Sequence, residues 1–101
     1  MKYICLFNKK YFIYKITDLR NGRVYVGQTG NSEQRYKRYC YMINNLYKID
    51  TFRIRKIHRV IYDAGLENFA FEVIEECDSR PLSLKRENYY ITLFKVKPFS
   101  L

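Results

Sequence analysis

Two tyrosines, one arginine and one glutamate, far apart in the sequence, carry side chains suited to cleaving a phosphodiester. Tyr14 and Tyr25 flank an Asn-Gly pair, Arg35 follows in a basic segment, and Glu87 lies near the C-terminus. A guanidinium offsets the charge that builds up in a five-coordinate phosphate transition state. A carboxylate suits Mg²⁺, and a phenol can serve as a base only where positive charge favours its phenolate. The four residues are therefore a candidate hydrolytic site.

Two predicted strands carry the tyrosines. They read YFIYKIT and RVYVG, rich in aromatic and β-branched residues, and Asn21-Gly22 between them predicts a hairpin because both residues tolerate positive φ. A two-residue turn there would pair Asp18 with Tyr25. A four-residue loop would instead set Tyr14 directly opposite Tyr25. In both registers the phenols face the same side of the hairpin, because side chains alternate along a strand.

Helices and one further strand account for the rest of the chain. The first helix, capped by Asn31 or Ser32, is predicted to run to about Leu46 and to place Arg35 and Tyr39 on one face. The remaining predicted elements are a helix over 52–64, a strand over 68–75 and a helix over 81–94. The order β-β-α-α-β-α predicts an α+β fold, a small three-stranded antiparallel sheet flanked by helices.

Length and charge indicate one domain over residues 1–101 with an anionic partner. The 19 Lys and Arg residues exceed the 10 Asp and Glu residues, for a net charge of +9, and nucleic acid is the commonest polyanion that such a surface binds. Residues 1–7 fit an edge strand or a flexible lead-in and are too short for a signal peptide, so we expect a cytoplasmic protein. The three cysteines lack CxxC spacing, which indicates reduced thiols rather than a zinc site or disulfides.

Basic residues surround the apolar face of the second predicted helix. The candidates for contact with the DNA backbone are Arg38, Arg53, Arg55, Lys56 and Arg59. A charge run of this kind is usually a solvated face, and that alternative stays open. The sole histidine, His58, falls in the middle of this predicted helix and is interpreted as an ordinary helix-face residue.

Several separate pieces of the sequence, in order and at suitable spacing, resemble the GIY-YIG nuclease family. They are the FIY and YVG segments with ten residues between their tyrosines, the arginine eight residues past the glycine, the GLENF segment before the third strand, and RENYYI. The likeness covers about residues 11–94. It is strongest to the phage and intron homing enzymes.

The resemblance implies an endonuclease that hydrolyses DNA phosphodiesters with one divalent metal, Mg²⁺ or Mn²⁺. Glu87 would bind the metal, and Arg35 would contact the scissile phosphate. Tyr14 and Tyr25 would line the site, one of them acting on the attacking water. Gly27 would let the backbone come close to the substrate. Double-strand cleavage would need two events or two copies, and specificity would come from this surface, a homodimer or a separate DNA-binding partner.

The sequence departs from the family pattern at several positions. Phe12 replaces the glycine of the first motif, and Tyr39 stands where many homing members carry a histidine, as it also does in relatives from excision repair. Tyr39 could keep the hydrogen bonding of that histidine. A second histidine of some homing members, early in the next helix, corresponds to Thr51 or Phe52 here, and His58 matches neither position. The closing asparagine of the family is not found.

Three functions stay open at this point. The first is a metal-dependent DNA endonuclease. The second is a nucleic-acid-binding domain of the same fold that has lost turnover, and the third is a basic interaction domain without nucleic-acid chemistry. The residue-level alternatives are ordinary sheet tyrosines, a solvated Arg35, and a Glu87 that pairs with Arg86 or Lys85 on the surface.

Overall fold

The computed structural model describes residues 11–94 and a strand at residues 2–4, which form one four-stranded sheet with helices packed on it. The elements are β1 (Lys2–Ile4), β2 (Tyr11–Asp18), β3 (Val24–Thr29), α1 (Ser32–Asn44), α2 (Lys56–Ala64), β4 (Phe69–Cys77) and α3 (Arg80–Leu93). The sheet order is β1-β4-β2-β3. The antiparallel pairing of β2 with β3 and β4 confirms the predicted three-stranded sheet, and β1 adds a parallel edge strand beside β4.

The hairpin register differs from both predicted registers. Tyr14 lies opposite Gly27, and Ile16 lies opposite Tyr25. The two phenols nevertheless lie on the same side, as predicted, because Tyr25 and Gly27 are two residues apart on one strand. The ring centroids of Tyr14 and Tyr25 are 6.5 Å apart.

The connection between β2 and β3 explains this register. The backbone N–H of Asp18 donates to the carbonyl of Arg23 at 2.8 Å, which leaves residues 19–22 outside the ladder. The Asp18 carboxylate accepts hydrogen bonds from Nε and Nη2 of Arg20 at 3.0 and 2.9 Å, and Gly22 adopts a φ of 76°. The side chain of Asp18 thus stabilises a four-residue loop where the Asn-Gly pair alone predicted a tighter turn.

Helix α1 begins as the sequence predicts but ends earlier. The Asn31 side chain caps it by accepting a hydrogen bond from the backbone N–H of Gln34 at 2.9 Å. The helix ends at Asn44, and Leu46–Lys48 forms a separate 3₁₀ turn. Arg35 and Tyr39 are one helical turn apart within it, which keeps them on a common face.

Helix α2 begins at Lys56, four residues after the predicted start at Phe52. Residues Thr51–Arg53 form a 3₁₀ turn instead of the first turn of the helix. The helix start is marked by the backbone N–H of Arg55, which donates to Nδ1 of His58 at 2.9 Å. The side chain of His58 therefore decides where the helix begins, and this residue is the third of the helix rather than its middle.

Two apolar clusters lie on opposite faces of the sheet. The first joins the sheet to α1 and α2 through Phe12, Tyr14, Ile16, Tyr39, Ile43, Ile57, Ile61, Phe69, Phe71 and Val73. The second joins it to α3 through Ile13, Val26 and Cys77, with Tyr90 and Ile91 packed against them. Among the described residues no helix is long and apolar enough to cross a membrane.

Strand β4 contains a bulge beside Tyr14. The pairing with β2 shifts between Ile13, which lies opposite Glu75, and Tyr14, which lies opposite Val73, so Ile74 is the extra residue. Up to Val73 the burial of β4 alternates as predicted. Beyond the bulge the alternation is offset by one residue, and Glu75 consequently faces α3.

Candidate active site

Tyr14 lies at the centre of an aromatic cluster on the α1 side of the sheet. Its hydroxyl is 3.0 Å from the hydroxyl of Tyr39, and its ring stacks on Phe71 with centroids 4.7 Å apart. A Cβ atom at Gly27 would overlap the Tyr14 hydroxyl and lie 2.8 Å from its Cε1. Gly27 therefore leaves room for the Tyr14 ring across β3, which forms one edge of the sheet. Its predicted role in substrate approach stays a prediction.

Burial keeps two of the phenols protonated. It raises the pKa of Tyr14 to about 12, and it also raises the pKa of Tyr39 far above the ordinary range. The Arg35 charge lowers both pKa values, but by less than burial raises them. Tyr14 and Tyr39 are thus neutral hydrogen-bonding groups at neutral pH. Tyr25 lies next to them and is only partly buried.

Arg35 and Glu87 approach Tyr14 from different helices. The guanidinium of Arg35, on α1, lowers the pKa of the Tyr14 phenol, and the carboxylate of Glu87, on α3, raises it. Their charges can act on one hydroxyl because Tyr14 crosses the edge strand β3, against which α3 packs from the other face. The structure thus places the predicted guanidinium and carboxylate within electrostatic range of the Tyr14 phenol, beside which Tyr25 lies.

Glu87 lies on the inner side of α3, and its carboxylate has no partner within residues 11–94. Ser83, Glu87 and Ile91 follow one another at a spacing of four residues, and Ser83 is fully buried. Burial raises the pKa of Glu87. Within residues 11–94 its carboxylate forms no ion pair or hydrogen bond, and Arg86 binds Glu75 instead at 2.6 Å. The alternative of a Glu87–Arg86 surface pair is therefore wrong.

A basic cleft of about 280 Å³ opens beside the phenols, between α1 and α2. Its lining residues are Arg35, Arg38, Tyr39, Met42, Phe52, Arg53, Arg55 and His58. Within the described part of the chain, none of its four guanidiniums forms an ion pair with a carboxylate. Of the residues predicted to contact DNA, Lys56 and Arg59 are exposed but do not line this cleft. Contact with DNA stays a prediction for all five.

His58 is the site residue that the sequence analysis missed. Its ring centroid is 5.3 Å from that of Tyr39, and it lines the cleft. Because Nδ1 accepts the N–H of Arg55, the proton of the neutral imidazole is on Nε2. Burial, together with the charges of Arg55, Arg38 and Arg35, lowers the pKa of His58 to about 4. The available signal was the spacing of three between residues 55 and 58, which is that of a capping box.

The carboxylate of Glu87 suits a cation such as Mg²⁺, which keeps several waters, better than a cation that protein side chains surround completely. The described residues contain no group of three His, Cys, Asp or Glu side chains that could hold a metal ion. Mg²⁺ is usually held by one or two carboxylates, several waters and the phosphate oxygens of a substrate. A single, partly buried carboxylate that is unpaired within residues 11–94 meets that need.

Comparisons with known proteins identify the family to which this fold belongs. The family model of the GIY-YIG catalytic domain matches residues 10–99. The solved catalytic domain of the homing endonuclease I-TevI is 26% identical, with a TM-score of 0.68, over 85% of this chain and 89% of that chain. A mutant of the catalytic domain of the intron endonuclease I-TevI is 25% identical, with a TM-score of 0.66, over 85% and 84%. No curated protein matches the chain.

The family match covers nearly the whole chain, and the similar solved domains have the same fold. The phenols, the arginine and the glutamate that the resemblance implied are all present in this fold. The chain belongs to the GIY-YIG family of catalytic domains, and it is a nuclease.

Proposed function

We propose that this nuclease is a divalent-metal-dependent DNA endonuclease of the homing or phage type. The single observation that carries the proposal is that Tyr14, whose hydroxyl is 3.0 Å from that of Tyr39, lies within electrostatic range of both Arg35 on α1 and Glu87 on α3. The net charge of +9 supports a polyanionic substrate, and the similar solved domains are those of a homing endonuclease.

In this proposal Glu87 and Arg35 have different electrostatic roles. Glu87 would hold Mg²⁺, or Mn²⁺, which when bound stabilises the charge on the leaving oxygen. Arg35 contacts the scissile phosphate and offsets the charge that develops in the transition state. Both side chains lack an ion-pair partner among residues 11–94, so substrate binding does not first have to break such a pair.

The phenols position groups at the site in this proposal. Tyr14, a neutral phenol whose hydroxyl is 3.0 Å from that of Tyr39, forms the buried base of the site. Tyr25 is the more accessible phenol and orients the attacking water. The Nε2–H of His58 donates to a phosphate oxygen from the cleft, where the neutral ring adds a donor without adding charge.

Plasmid nicking with a metal titration tests this function. Glu87→Gln should slow Mg²⁺-dependent nicking by about 10³-fold, and Arg35→Ala by about 10²-fold or more. Glu33→Gln is the matched control, because it also removes one carboxylate but from an exposed pair with Lys37. That control should keep the rate within about twofold, since exposed pairs contribute little. A Glu87→Gln protein that nicks at the parent rate would show that the site is wrongly assigned.

A second function, DNA binding by the same fold without turnover, is favoured by one observation. Tyr39, a phenol whose pKa is raised by burial, stands where many homing members of the family carry a histidine. Salt-dependent plasmid binding with no nicking in Mg²⁺ or Mn²⁺ would identify this alternative.

A further inference from the structure

Phe52 is exposed to water at the basic cleft. Among the large hydrophobic side chains of residues 11–94 it has the highest exposed fraction, 83%. It lies on the 3₁₀ turn between α1 and α2, belongs to neither apolar cluster, and lines the cleft. Packing within the described residues therefore does not explain an aromatic ring at this position.

The surroundings of Phe52 match those of a nucleotide contact. The guanidinium of Arg53 lies 5.6 Å from the centroid of the Phe52 ring, and Arg38 and Arg55 line the same cleft. Proteins that hold single-stranded nucleic acid combine exposed rings, which stack on bases, with arginines that bind the phosphates. Here the Phe52 ring and these arginines line the same cleft.

The size of the cleft restricts what can enter it. Its volume of about 280 Å³ is just below the range of roughly 300–1,000 Å³ that is typical of pockets for one small molecule. A cleft of this volume is far too small to enclose a duplex, so a contact inside it is limited to about one nucleotide unit. A base inside a duplex is stacked on its neighbours, so it can present its face to a protein ring only after leaving the stack.

We propose that Phe52, backed by Arg53, stacks on a base that is unstacked beside the cleaved phosphodiester. The enzyme consequently binds DNA with unpaired bases more tightly than fully paired DNA. This inference rests on the proposed DNA-cleaving function, and it adds the form of DNA and the residue that selects it.

Tyr47 provides a matched control within the same connection. It is 76% exposed, and Nζ of Lys48 lies 5.5 Å from its ring centroid, so it also pairs an exposed ring with a cation. It does not line the cleft. The two rings thus differ in their relation to the cleft and not in chemical type.

The test uses tryptophan as a probe, because the natural chain contains none. Phe52→Trp and Tyr47→Trp are titrated in EDTA with a thymidine oligonucleotide, and binding is followed separately by anisotropy of a labelled strand. Emission should fall on binding for Phe52→Trp and stay unchanged for Tyr47→Trp. Phe52→Ala should weaken single-strand binding about tenfold, and Tyr47→Ala by less than about twofold.

The outcomes separate this inference from the proposed function. Binding without quenching at residue 52, equal quenching at both positions, or equal affinity for a paired duplex overturns the inference, while Mg²⁺-dependent nicking would still support the endonuclease. Quenching at residue 52 without any nicking rejects the endonuclease, and with it the position beside a cleaved phosphodiester, but supports the stacking of a base on Phe52. A protein that binds neither form of DNA overturns both.

Discussion

The basic cleft on the α1–α2 face and the α3 face of the sheet differ in how their arginines are paired. On the α3 face, Arg86 donates to the Glu75 carboxylate from Nε at 2.6 Å and from Nη2 at 2.8 Å, and Tyr90 donates to it at 2.8 Å. On the α1–α2 face, the four arginines of the cleft have no carboxylate partner among the described residues. Like charges gathered without partners destabilise a fold and attract an anion. On one face the paired charges therefore anchor a helix, and on the other the positive charges of the cleft attract an anion.

Two neighbours on α3 show the same contrast within one helix. Arg86 is held by Glu75, while Glu87, the next residue, is partly buried and unpaired within residues 11–94. The ion pair ties α3 to β4 and so helps to keep the Glu87 carboxylate at the end of the sheet where Tyr14 crosses β3. Anchoring by Arg86 and the proposed metal binding by Glu87 thus fall on adjacent side chains.

Lowering the pH should destabilise the two faces of the sheet in different pH ranges, and this is the largest effect on stability that we expect. His58 has a folded pKa of about 4 against an ordinary 6.5, so the unfolded chain takes up its proton more readily. The free energy of unfolding should fall by about 3 kcal/mol at most as the pH drops from about 6.5 to 4. The pKa of Glu75 is lowered by Arg86, so its stabilising effect is lost only below the ordinary glutamate value of 4.5. Urea unfolding at a series of pH values measures both windows.

The control for this prediction is His58→Gln, whose amide oxygen can still accept the N–H of Arg55 at the helix start. Its stability should be nearly constant between pH 6.5 and 4.5. An equal loss in this variant would show that another group causes the decline.

A methyl group at Gly27 should disturb the α1–α2 face next most strongly. Gly27→Ala places a Cβ against the Tyr14 ring, and overpacking of this kind costs about 2 kcal/mol of unfolding free energy. The displaced phenol should also slow nicking. Gly22→Ala meets no atom within 4 Å but keeps a φ of 76°, so it should cost about 1 kcal/mol through the backbone alone. Urea unfolding compares the two, and nicking should fall in the first variant only. Equal nicking rates would contradict the packing argument.

Neutralising arginines on each face tests the contrast most directly, with smaller effects. Arg38→Gln combined with Arg55→Gln should weaken DNA binding by about tenfold at low salt and reduce the slope of log K against log salt by about 2. Its stability should change by less than about 0.5 kcal/mol. Arg86→Gln should do the reverse: it should lower stability by removing the pair with Glu75, and it should leave the salt slope unchanged. Salt titrations and urea unfolding of both proteins provide the measurements. A steeper loss of binding in Arg86→Gln would remove the distinction between the faces.

Features that depend only on short spacings were predictable from the sequence. Tyr14 and Tyr25 share a side of the hairpin because strand side chains alternate, whatever the register. Arg35 and Tyr39 share a helix face because they are four residues apart. The burial of β4 follows the predicted alternation as far as Val73.

Features that depend on which long-range contact a residue finds were mispredicted. The helix pattern appeared continuous from Phe52, but that ring is left in water and α2 begins at Lys56 with a hydrogen bond to His58. This shift is what brings the histidine into the cleft beside Tyr39. Intrinsic helix propensities are too small to outweigh such contacts.

The amino-acid sequence by itself determined the order of elements, the basic charge and the identity of the four chemical side chains, because these follow from residue types and spacing. Only the tertiary structure decided that the hairpin register lets Tyr14 cross β3 over Gly27. It also decided that a bulge at Ile74 directs Glu75 toward Arg86, which leaves Glu87 without that partner. The physical reason is that register and bulges are selected by contacts between residues distant in the chain, and no local pattern encodes those contacts.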